Sequence, residues 1–159
     1  MTDPFLVADA YLVHVTSIVS QVANVLKRSD DHTRYSHDHS RLRKAFQEEY
    51  MTTNGRLASD AQTAFALALE FHLLDHKQVD HAAERLVRLV TKNGFKIGTG
   101  FAGTNIILKV LTENGQLPVA YRMLQEKGCP SWLYPITMGA TTVWERWDSL
   151  LPDGSINVS

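Results

Sequence analysis

The chain has one cysteine, Cys129, in 159 residues. A single thiol excludes an internal disulfide framework and any metal site built from several thiolates. Standing before Pro130, it reads as a small apolar side chain. Positive charge is not in excess: 16 basic and 17 acidic residues give a formal net charge of −1, with no basic block. Nucleic-acid binders present a basic patch or stripe, so nucleic acid is not an expected partner. Nor does the sequence read as containing an apolar run of roughly 18 residues, so no membrane partner is expected. The N-terminus, Met1-Thr2-Asp3-Pro4, has an acid where a signal peptide carries basic residues. A cytoplasmic location is the expectation that follows.

What is present is an ordinary globular composition, 44% hydrophobic and 21% charged, in a length that suits one domain. Helical periodicity dominates. Tyr11, Val15, Ile18, Val19, Val22 and Leu26 make one helical stripe. A second helix is expected from about 38 to 50, with Leu42, Ala45, Phe46 and Tyr50 on one side. A third runs through "DAQTAFALALEFHLL", with Ser59 as a plausible N-cap, and is apolar over most of its circumference, as an inner helix would be. The fourth, near 77–92, turns Val79, Ala82, Ala83, Leu86, Val87 and Val90 inward and Glu84, Arg85 and Arg88 outward. Shorter helices are expected at about 103–113 and 117–126.

Asn54-Gly55, Asn93-Gly94, Asn114-Gly115 and Lys127-Gly128 each close a helical pattern, because these residues tolerate the left-handed conformation that ends a helix. Helices joined by short loops pack as antiparallel neighbours, so the expected fold is all-α, a series of helical hairpins. "FKIGTGFAG", residues 95–103, interrupts it and reads as an extended loop feeding Thr104 as an N-cap. Its G-x-G-x-x-G lettering follows no strand, so no dinucleotide site is inferred. Of seven histidines, His32, His37 and His39 read as a polar inter-helix loop. His72 and His76 are spaced to share a helix face, yet no third metal ligand is placed by spacing, and a solvated helix end explains them.

"CPSWLYPITMGATTVWERWDSLLPDGSIN" puts Trp132, Tyr134, Trp144 and Trp147 within sixteen residues. Glu145 lies between two indoles. One reading is a surface helix anchored by its tryptophans. The other is a sugar site, in which aromatic faces stack on the ring and a carboxylate moves protons. Thr141 or Thr142 could cap a helix beginning near Val143, which would place Glu145 in its first turn, where the macrodipole favours the ionised form.

From about residue 30 to 157, the G-T-G-F-x-G-T loop and the A-T-T-x-W-E-R-W run together resemble the C-terminal half of the six-hairpin catalytic domain of glycoside hydrolase family 78 α-L-rhamnosidases. The resemblance implies part of an (α/α)6 toroid, a single partial catalytic domain over residues 1–159, and inverting hydrolysis of terminal α-L-rhamnose without a metal or other cofactor. It makes Glu145 the general base, with Trp132, Tyr134, Phe101, Thr99 and Trp144 as sugar contacts and a rhamnose-containing glycoside as partner. The family's general acid lies in an Asp-Glu-Arg-containing loop that this sequence does not show, and Glu48, Glu49 and Glu70 have other surroundings. The chain thus reads as a piece of such an enzyme, feeble alone. The alternative is a non-catalytic carbohydrate-binding or interaction remnant. An inner helix as apolar as 60–74 is expected to leave an open edge, so that the chain either self-associates through it or is only marginally folded.

Overall fold

A computed structural model describes residues 2–52 and 56–158. The helix end read at Asn54-Gly55 lies outside them. Among the described residues eight helices follow in order: α1 Pro4–Val25, α2 Ser29–Tyr50, α3 Gln62–Glu70, α4 His76–Lys92, α5 Phe101–Thr104, α6 Ile107–Glu113, α7 Leu117–Leu124 and α8 Leu133–Thr137. Among the described residues the only β pairing is two isolated bridges, Met51 with Leu57 and Leu150 with Ile156.

Pro4 occupies the first turn of α1, and the Asp3 carboxylate accepts the Phe5 amide at 2.9 Å. Together they start the helix: one removes an orphan donor and the other satisfies one. Lys27, at φ 57°, turns the chain at its end, and α2 begins two residues later. So short a turn makes α1 and α2 an antiparallel pair. The pairs α3–α4 and α6–α7 pack in the same way, while α3 also touches α1 and α6, and α4 touches α7. Three hairpins therefore stack side by side, with α1, α3 and α6 in one layer and their partners in the other.

α3 is the inner helix that its composition predicts: Gln62 through Leu69 are all buried. The open edge expected there does not exist. Phe65, Leu67, Leu69, Phe71, Leu73 and Leu74 are all covered within the chain, because α1, α4, α5 and α6 surround the helix. Ser59 is not its cap. The chain through Ala61 is extended (φ −129°, ψ 147°), and the preceding Asp60 is drawn out to Arg85 by a two-pronged ion pair.

The exposed apolar face lies instead on α1. Its packed side is Leu6, Ala10, Val13, Thr16, Ser20 and Ala23, while Val15, Ile18, Val19, Val22, Val25 and Leu26 are 37–79% exposed. Periodicity found the stripe, but the stripe is not the packed face. The reason is α2, which is more polar and longer than expected. "HTRYSHDH" is not a loop but its first half, begun by Asp30 and Asp31 in the first turn. Ser20 accordingly sits 2.7 Å from the Ser36 hydroxyl and 3.1 Å from His32 Nδ1, so the seam closes on small and polar side chains. α1 spans 22 residues with a mean hydropathy of 1.4, enough to cross a membrane by length and composition alone. That corrects the expectation that no stretch qualifies, although Leu6, Ala10 and Val13 on its packed side are built into the core.

The helix ends are mixed. Gly94 (φ 64°) and Gly115 (φ 74°) terminate α4 and α6 as read, whereas α7 stops at Leu124, ahead of Gly128. Gly128 gives its amide to Glu126 Oε1 at 2.8 Å. His72 is itself left-handed (φ 53°) beyond the end of α3, and His76 begins α4, so the two histidines share no helix face.

Candidate functional site

Where the third hairpin gives way to irregular chain, a groove of about 1320 Å³ opens. One wall is the loop before α5, with Thr99 and Gly100, and Phe101 at the start of α5. The other is the segment from Cys129 to Asp148, including Trp132, Ile136, Val143, Trp144, Glu145 and Trp147. Phe101 is 86% exposed, at the rim. Thr99 is buried, and its hydroxyl lies 2.9 Å from that of Thr104. Thr104 is the last residue of α5, not the cap of a longer helix; its hydroxyl returns to the Thr99 and Gly100 carbonyls at 3.2 and 3.0 Å. The expected helix over 103–113 is accordingly split into α5 and α6.

Residues 139–150 form no helix. Gly139, at φ 86°, turns the chain out of α8, and tertiary anchors then override any helical start near Val143. Trp147 packs edge-on to Trp132, their ring centres 6.1 Å apart. The Ser149 hydroxyl donates to the Arg146 carbonyl at 2.8 Å, and Tyr134 Oη donates to the Leu150 carbonyl at 2.7 Å. Glu145 is therefore on a loop, not in a first helical turn, and no helix dipole acts on it. It is exposed and faces the groove.

One of the five expected sugar contacts changes place. Trp132, Trp144, Phe101 and Thr99 line the groove, but Tyr134 does not. Tyr134 is 7% exposed, its amide held by Ser131 Oγ at 3.1 Å and its hydroxyl spent on Leu150, so it braces the wall from behind. Burial raises its phenol pKa. Of the two indoles flanking Glu145, Trp144 faces the groove, while Trp147 both lines it and packs on the core.

Asp148, which sequence reasoning passed over as a charged neighbour, is a second carboxylate on the same wall. The Arg146 guanidinium forks onto it, with both contacts at 3.2 Å, and Asn157 Nδ2 donates to it at 2.8 Å. The hydrogen bonds from Arg146 hold Asp148 below the usual carboxylate range. It stays ionised, and a permanently ionised carboxylate donates no proton near neutrality. Cys129, at the start of the same wall, has its thiol pushed up by burial and then by the Asp148 charge, and so remains a neutral lining group.

The layering defines the class. Antiparallel helix pairs that place one member in an inner layer and the other outside build the toroid of a hairpin glycosidase, and the aromatic groove opens where the pairs end. The chain belongs to the bacterial alpha-L-rhamnosidase six-hairpin glycosidase domain family, whose model matches residues 1–158 and so takes in α1 as well. It is 41% identical over 148 residues to an α-L-rhamnosidase of Streptomyces avermitilis, covering 93% of this chain and 14% of that protein. An α-L-rhamnosidase of Formosa agariphila is 32% identical over 150 residues, covering 93% and 16%. Among solved structures, the native α-L-rhamnosidase of Aspergillus terreus superposes with a TM-score of 0.97 at 42% identity, over 99% of this chain and 18% of that one. The Streptomyces avermitilis enzyme in complex with L-rhamnose gives 0.90 at 40% identity, over 96% and 15%. The chain thus spans only 14–18% of the length of these relatives.

Proposed function

We propose that the groove is the sugar site of an α-L-rhamnosidase, that Glu145 is its general base, and that Trp132, Trp144, Phe101 and Thr99 contact the substrate. The observation that carries this reading is an exposed carboxylate on a groove walled by aromatic side chains. In this reading Glu145 takes a proton from a water attacking the sugar from the groove side, and its exposure on the groove supports that role. An inverting glycosidase needs that base and an acid about 6.5–9.5 Å across the bond to be cleaved. The wall offers Asp148 as its other carboxylate, and Arg146 keeps it ionised. Here, then, the groove supplies a base without an acid.

This chain alone is therefore expected to bind L-rhamnose and to hydrolyse aryl α-L-rhamnosides only at a trace rate. General acid–base assistance is worth about 10²–10⁴-fold per group, and half of it is missing. NMR titration with L-rhamnose, run against D-mannose as control, tests binding. Absence of any shift at the groove residues overturns the reading. Turnover of several per second that is lost in Glu145→Gln would keep the site but overturn the missing acid. Binding with no turnover at all favours the second reading, a carbohydrate-binding remnant, which the paired state of Asp148 also supports. The bare α1 stripe further supports self-association of the isolated chain, now through α1 and not α3.

A further inference from the structure

One buried polar side chain next to the groove is not used by the chemistry above. Gln62, the first residue of α3, is 5% exposed and does not line the groove. A carboxamide taken out of water is costly unless both of its ends are bonded. Both ends of Gln62 meet the same loop. Its Oε1 accepts the Gly98 amide at 2.7 Å, and its Nε2 donates to the Lys96 carbonyl at 3.4 Å. A Cβ at Gly98 would fall 2.7–2.9 Å from the amide atoms of Gln62, so any other residue here would make the Gln62 carboxamide shift out of this contact. Between the two clamped residues, the Ile97 amide donates to the Pro130 carbonyl at 2.9 Å, on the strand of chain that leads to Trp132. The loop that carries Thr99 and Phe101 into the groove is thus fixed from the inner helix on one side and from the opposite wall on the other.

We infer that Gln62 is a positioning residue of the groove: its carboxamide clamps Lys96 and Gly98 and so sets where Thr99 and Phe101 meet the substrate. The inference rests on the sugar-site reading and adds a residue to it. Apolar packing alone could bury a side chain at this place, but it could not fix the loop's register. An amide oxygen facing an N–H and an amide nitrogen facing a carbonyl accept one alignment.

The test is Gln62→Met, which keeps length and volume and removes both bonds, with Gly98→Ala acting from the other side of the same contact. Each variant is expected to weaken L-rhamnose binding about tenfold, the effect of roughly one lost hydrogen bond. NMR hydrogen exchange should show the Gly98 amide exchanging about tenfold faster, with the Leu67 and Leu69 amides inside α3 unchanged. The double variant is expected to bind no more weakly than either single one, since both break one contact. Unchanged rhamnose affinity overturns the inference. So does exchange that rises equally at Leu67 and Leu69, because the role would then be structural only. If the unaltered chain ignores rhamnose, the sugar-site reading fails, and the clamp is still judged by Gly98 exchange, whose indifference to Gln62→Met overturns it. Should Gln62→Met fail to fold, Gly98→Ala carries the test.

Discussion

Glu145 and Asp148 stand three positions apart on one wall, and their neighbours give them different duties. Asp148 is tied to Arg146 and Asn157 and holds the wall together; Glu145 faces the groove. Away from the groove, Tyr50 illustrates how burial writes a pH limit into one residue. It is buried with its hydroxyl donating to Asp9 at 2.7 Å, and burial first, then that bond, raise its pKa far above the usual tyrosine value. A group whose folded pKa is raised contributes stability below its unfolded pKa and loses it as pH rises toward the folded one. Melting temperature is therefore expected to hold until about pH 10, the ordinary tyrosine range, and to fall beyond it. In Tyr50→Phe the fall should be smaller; an identical alkaline decline in that variant would assign it to other groups. At this scale the exposed place of Glu145 was legible, because a carboxylate between indoles does not suit a packed core. Tyr134 was not: aromatic density says that a wall exists, not which side of it a ring occupies.

Between α1 and α2 the seam is closed by hydroxyls and an imidazole, an arrangement that costs stability if half of it is removed. Ser20 sits among Ser36 and His32 with little solvent to replace it. Ser20→Val is expected to lower unfolding free energy by about 1–3 kcal/mol, the cost of stranding buried polar partners. Denaturant melts measure this, and a neutral result would mean that Ser36 and His32 re-pair with each other. The same seam explains why helix length and facing were misread. The stretch "HTRYSHDH" looks like a loop to any rule that asks for an apolar face, since its partner face on α1 is Thr16, Ser20 and Ala23. α4, whose partner is apolar, was legible to within a residue, whereas the apolar character of α3 was legible but its ends were not: it starts at Gln62 and stops at Glu70, four residues short of the apolar run. Where Val143 would have begun a helix, tertiary anchors at Trp147, Asp148 and Leu150 won, and nothing local announces them.

Taken whole, the chain is three stacked hairpins with one face left bare. The stripe from Leu12 to Leu26 along α1 is long enough to act as a docking edge. At micromolar concentration the isolated chain is expected to self-associate through it, and Val15→Glu combined with Val22→Glu should return it to a monomer. Light scattering after size exclusion reads both; a monomeric unaltered chain overturns the expectation. The hairpins were legible from the punctuation at Gly94 and Gly115, and the toroid from the family resemblance that the two motifs carry, but the bare side was not, because hydrophobic periodicity cannot tell a buried stripe from one awaiting a neighbour. The groove has one further property as an optical object. The chain has three tryptophans, and Trp132, Trp144 and Trp147 all line that single groove. Its indole emission is thus a private signal of the site, silent about the helices. A sugar entering the groove would recolour the whole tryptophan spectrum with no label attached.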